Sequence, residues 1–126
     1  MTELYYFHDP MCSWCWGFRP TLLKLLGELP DEIAVRSVVG GLAADSDAPM
    51  PAEQRIAIQD HWRRIEAMLG TEFNHDFWSC CEPRRSTYPA CRAVIAAERQ
   101  SRGKAMTQAI QKAYYLQRAI RPTVVR

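Results

Sequence analysis

Between Glu3 and Gly41 the sequence reads strand, helix, strand, and the first junction carries Cys12-Ser13-Trp14-Cys15. Leu4 to Phe7 has the aromatic weight of a buried strand, and His8-Asp9-Pro10 stops it, because proline lacks the donor that a ladder requires. From about Trp14 to Leu29, the residues Trp16, Phe18, Leu22, Leu23, Leu25, Leu26 and Leu29 keep near-helical spacing, and Pro20 predicts a kink. Leu29-Pro30-Asp31-Glu32 reads as a turn, and Ile33 to Val39 as a second strand ended by Gly40-Gly41. A strand, helix and strand this close together form a βαβ unit with parallel strands and a right-handed crossover.

A CxxC at such a junction lets helix N-terminal N–H groups hold a thiolate. Cysteines three apart on a first helical turn share one face, so their sulfurs can close and reopen a small disulfide ring. No Lys, Arg or His lies inside the motif, so thiolate stabilisation is expected mainly from the helix dipole and backbone donors. The alternative is half of a zinc site. That needs a second pair, and the adjacent Cys80-Cys81 has poor geometry for two ligands on one tetrahedral ion. Neither a metal nor a bound cofactor is expected.

After Asp45-Ser46-Asp47-Ala48-Pro49 the pattern turns helical, with helices predicted over Ala52–Leu69, Ser86–Gln100 and Lys104–Ala119. The expected fold class is α/β: one domain over 1–126, with a βαβ half (1–42), a helical insertion (45–119) and an irregular tail (120–126). Two strands make a marginal sheet, so a shortened chain is expected, and an unpaired edge predicts a homodimer or a swapped assembly. With 16 basic and 14 acidic residues the charge excess is too small to imply a nucleic-acid or anionic-membrane partner. The start Met1-Thr2-Glu3 has no basic or apolar leader, and no apolar run is long enough to span a bilayer. Five cysteines, an odd count, suit a reducing compartment, so a soluble cytoplasmic protein is expected.

The run Phe7-His8-Asp9-Pro10-Met11-Cys12-Ser13-Trp14-Cys15-Trp16-Gly17-Phe18, followed by Gly40-Gly41-Leu42 and a helical block, resembles the DsbA-like thioredoxin-fold family. Asn74 to Trp78 and Pro83 to Ala93 resemble the insertion segment of its cytoplasmic FrnE-like dithiol-disulfide isomerases. The resemblance implies a thioredoxin fold with an inserted helical domain, a C-terminal ββα half and a cis-proline loop facing the CxxC. Pro122 only superficially matches that proline, and the last half of the fold reads as absent. The implied activity is thiol-disulfide exchange with a protein or a small thiol such as glutathione. Cys12 would attack, and Cys15, one turn in, would resolve. Two rival readings are a catalytically idle fragment serving as an association module and a glutathione-dependent isomerase or transferase of the same fold. The latter branch has serine in the first cysteine's place, so Cys12 argues against it.

Around the pair, Trp14, His8 and Pro10 are the candidate substrate-contacting residues. His8 could tune the thiols or simply be a hydrogen-bonded histidine. Trp14 is expected to be exposed, and Trp16 and Phe18 to pack the helix onto the sheet. Cys80, Cys81 and Cys91 read as buried, inert side chains before they read as a relay dithiol. Arg84 and Arg85 read as solvated surface, or as partners for an anionic group such as a glutathione carboxylate.

Overall fold

The computed structural model describes residues 2–117. Its elements are β1 (Glu3–His8), α1 (Ser13–Glu28), β2 (Ala34–Val39), α2 (Ala52–Leu69), α3 (Phe77–Cys80), α4 (Tyr88–Glu98) and α5 (Gly103–Tyr115). The expected α/β class holds, with a thioredoxin-like βαβ unit followed by a helical block. Strands β1 and β2 are parallel, from Glu3 opposite Ala34 to His8 opposite Val39.

The first strand is half-buried, not buried as the sequence suggested. Tyr5 and Phe7 are 50% and 66% exposed, while Leu4, Tyr6 and His8 face inward. A pleated strand sends alternate side chains to opposite faces, and along β1 one face is covered and the other is left exposed. Helix α1 continues through Pro20 and packs on α2, where Gly17 permits the close approach. A Cβ on Gly17 would stand 2.6 Å from Ile65 Cγ2.

Helix α2 runs as the spacing predicts, and Gly70, at φ 69°, ends it. The next helix starts later than expected because Ser86 and Thr87 belong to a loop, and α4 begins at Tyr88 with Pro89 in its first turn. Helix α5 ends at Tyr115, short of the predicted Ala119. Residues 118–126, including Ala119 and Pro122, lie outside the described residues. The four-residue α3 has no counterpart in the sequence reading. It is set by the turn in which Phe77 N–H bonds to the Asn74 carbonyl and Asn74 Oδ1 accepts from Asp76 N–H. Among the described residues, no helix is long and apolar enough to cross a membrane.

Among the described residues, two apolar clusters form the core. The larger gathers Met50, Ile65, Phe73, Phe77, Trp78, Tyr114 and Tyr115 around Trp62, which is 0% exposed. The smaller packs Ala90 and Val94 of α4 against Ile110 of α5, with Val39 of β2 beside it. Met11, in the loop before the CxxC, touches both, so that loop is seated where the clusters meet.

Candidate functional site

Cys12 caps α1 with extended backbone, its carbonyl accepting the Trp16 N–H at 3.1 Å, and Cys15 lies one turn along; both are half-buried. The loop that delivers Cys12 is folded around Asp9, which is 2% exposed. The Cys12 N–H donates to the Asp9 carbonyl at 3.0 Å, and the Met11 N–H to Asp9 Oδ1 at 2.8 Å. From the segment after β2, the Leu42 N–H donates to Oδ2 at 2.9 Å, and the buried Cys91 thiol donates to the same oxygen at 3.4 Å. Gly41 makes this turn at φ 67°, and a Cβ there would sit 2.8 Å from the Tyr88 ring. Ala43 is pinned in turn by Thr87, whose Oγ1 accepts its N–H at 3.1 Å and whose N–H donates to its carbonyl at 2.9 Å.

The two thiols are displaced in opposite directions from the free-thiol range. The Cys15 thiol, donating a hydrogen bond to the Cys12 sulfur, is the largest influence on Cys12 and, with the Cys15 and Trp14 backbone N–H groups, lowers it to about 6; burial and the Asp9 charge oppose this. Cys15 is held far above the free-thiol range by the same bond, by burial and by the charge on Cys12. The expected backbone donors thus contribute, but the partner thiol outweighs them. Tyr6 donates a hydrogen bond to Cys15, and its own phenol is pushed up to about 12, first by burial and then by the cysteine charges.

A cavity of about 250 Å³ opens beside Cys12. Met11, Leu42, Met50 and Ile58 give it apolar walls, and Gln54, His61, Arg84 and Arg85 give it polar ones. Trp14, 36% exposed, lies on its rim with its ring edge-on to His61 at 6.5 Å. His8 and Pro10 are placed differently: both are buried, and neither lines the cavity. His8 stacks on Tyr6 at 5.2 Å, and burial lowers its pKa. A second hollow of about 470 Å³, along Gln59, Arg63, Glu66 and His75, contains no cysteine.

Two expectations change. Of the cysteines outside the motif only Cys91 is buried, its thiol pushed up to about 11 chiefly by burial; Cys81 is half-buried and Cys80 exposed. Trp16 packs on the helical block instead of the sheet, stacking on Tyr115 at 5.6 Å and donating to the Glu72 carbonyl at 2.9 Å. Phe18 does lie toward the sheet as expected, its ring 6.3 Å from that of Tyr6 in β1, although it is 39% exposed. Asp9, Trp62, Gln54 and His61 were not singled out from the sequence. The Asp-Pro step ahead of the CxxC was the one local signal for Asp9.

The thioredoxin family model matches residues 5–123. A candidate protein disulfide isomerase from Nitrosomonas europaea superposes with a TM-score of 0.77 at 32% identity, over 91% of this chain and 55% of that one. The cytosolic disulfide reductase DsbM from Pseudomonas aeruginosa, solved also with glutathione, gives 0.73 at 31% identity, over 96% of this chain and 60% of its own. The ClpXP adapter protein SpxH of Halalkalibacterium halodurans is 32% identical over 102 residues. This chain spans 33% of that adapter's length. On the family match and the shared architecture, the chain belongs to the thioredoxin family, with a DsbA-like fold.

Proposed function

We propose that the chain is a thiol-disulfide oxidoreductase in which Cys12 is the attacking sulfur and Cys15 the resolving one. The carrying observation is the placement of the pair: Cys12 caps α1 beside an open cavity, next to the Cys15 thiol and the Cys15 and Trp14 N–H groups that favour its thiolate, while Cys15 lies one turn in, where burial and the Cys12 charge favour the protonated thiol. The Cys12 thiolate attacks one sulfur of a substrate disulfide, forming a mixed disulfide and expelling the other sulfur as a thiolate. Cys15 then loses its proton to that leaving thiolate and attacks Cys12 Sγ. Two electrons leave the pair, a Cys12-Cys15 disulfide forms, and the substrate halves depart, the first as a thiol carrying the Cys15 proton and the second as a thiolate that takes its proton from solvent. The Tyr6 hydroxyl steadies the charge that develops on Cys15.

The substrate class is a protein disulfide or a small thiol such as glutathione. Trp14 and the apolar walls suit the flanking surface of either, and Arg84 and Arg85 suit a carboxylate. His8 and Pro10 act beneath the loop, supporting it. A reducing, cytoplasmic setting and the FrnE-like assignment belong to this reading, which the cytosolic DsbM neighbour supports. Reduction of insulin by this chain, with glutathione as electron source, tests it: turnover lost in Cys12→Ser supports the reading, and turnover kept in that variant refutes it.

The adapter names of the curated relatives favour a second reading, a surface that binds protein partners. A partner bound equally well by the parent and by a Cys12→Ser Cys15→Ser double variant would favour it.

A further inference from the structure

We infer that Asp9 is the positioning residue of the exchange site: its buried carboxylate fixes the spacing between the Cys12 and Leu42 walls of the cavity and sets a negative charge within the loop that delivers Cys12. The inference rests on the reading of Cys12 as the attacking sulfur.

Three donors converge on two carboxylate oxygens, the Met11 N–H on Oδ1 and the Leu42 N–H and Cys91 thiol on Oδ2. These donors come from separate parts of the chain. Met11 leads into the CxxC, Leu42 follows β2, and Cys91 sits in α4, so one side chain ties the cavity walls to the core. The Asp9 carbonyl adds a fourth tie, to the Cys12 N–H at 3.0 Å. An acceptor-only carboxylate fits this arrangement, and an amide does not, because its NH2 would face a donor in either orientation.

The charge acts in a direction that separates it from scaffolding. The Asp9 charge opposes ionisation of Cys12, so removing it favours the thiolate. A merely loosened loop leaves the Trp14 and Cys15 N–H donors in place, because both belong to the first turn of α1 beside Cys12, and so does not by itself favour the thiolate. Among the described residues, the other groups around Cys12 are Cys15, Tyr6, Tyr115, His61, Arg84 and Arg85, while His8, Cys91 and Tyr114 face Asp9. None of these is altered in the variants below.

The test compares the parent, Asp9→Asn and Asp9→Glu by two readouts. The first is the pH midpoint for iodoacetamide alkylation of the Cys12 peptide, read by mass spectrometry. The second is the KM for oxidised glutathione in its reduction by the Cys12-Cys15 dithiol, with dithiothreitol supplied to re-reduce the pair and the uncatalysed rate subtracted. Asp9→Asn is expected to move the midpoint to lower pH and to raise KM at least about threefold, as a misaligned site requires. Asp9→Glu, which keeps the charge but not the reach, is expected to hold the midpoint and raise KM. A midpoint in Asp9→Asn that stays or rises, or a parental KM in Asp9→Glu, overturns the inference. Should Asp9→Asn lose the parental circular dichroism, the two Asp9→Glu readouts decide. A parent that never turns over oxidised glutathione refutes that substrate reading instead, and the alkylation midpoints still decide the charge effect of Asp9.

Discussion

The indole N–H of Trp62 donates to the hydroxyl oxygen of Ser13 at 2.8 Å, joining the middle of the CxxC to the centre of the helical core. Trp62 lies in α2, fully buried, with Phe73, Phe77, Trp78 and Tyr115 within 4.7 to 5.7 Å of its ring centroid. The dipeptide between the cysteines is therefore held from the helical block as well as by its own helix.

This bond predicts coupling between two distant substitutions. Ser13→Ala leaves a buried indole N–H without its acceptor and is expected to cost about 1–3 kcal/mol. Trp62→Phe removes the donor and much of a large buried ring, with an expected loss of about 2–4 kcal/mol. The double variant should lose less than the sum, because the same bond is removed twice. Urea unfolding of all four proteins measures this.

The Cys15 thiol is the largest influence lowering Cys12, so Cys15→Ala should raise the alkylation midpoint of Cys12 from about 6 toward the free-thiol value. In the reduced parent, Cys12 is depressed by folding, so its stabilising contribution is full above the unfolded thiol pKa and is lost as pH falls through about 6. Alkylation profiles between pH 4 and 9, a range spanning roughly both values, check the first expectation. Denaturation of the reduced protein across the same range checks the second.

Gly17 lies where α1 meets α2, and the atom that a Cβ would meet belongs to Ile65, which is fully buried. A β-branched side chain on a helix has little rotamer freedom with which to yield. Gly17→Ala is expected to destabilise by about 1–3 kcal/mol despite the better helix propensity of alanine. An unchanged denaturation midpoint would show that the two helices separate freely.

Gly41 combines a left-handed backbone with contact against the Tyr88 ring. Gly41→Ala should cost about 1–2 kcal/mol from the backbone alone. It should also shift Leu42 and raise KM for a disulfide substrate. Gly41→Ala Tyr88→Ala relieves only the clash, so its stability should recover in part.

Much of the backbone plan was legible in local pattern. Strand, helix and strand emerge from the Leu4–Phe7 run, the apolar spacing after Trp14 and the Ile33–Val39 run, and α2 ends where Gly70 stops it. The exposure of Tyr5 and Phe7 was not legible, because it depends on which sheet face is covered. The four-residue α3 escapes periodicity, which needs more turns than it has. At the candidate site, the two cysteines and Trp14 announce themselves by spacing. Asp9, Trp62, Gln54 and His61 do not, since their roles come from contacts with residues distant in sequence.

The central claim is that Cys12 is the nucleophile and Cys15 the resolving thiol. It is tested most directly by incubating Cys15→Ala with oxidised glutathione at neutral pH and mapping the adduct by peptide mass. The account predicts one glutathione trapped on the peptide containing Cys12, with little on the parent, where Cys15 releases it. An adduct confined to Cys80 or Cys81, or equal trapping in parent and variant, would contradict it.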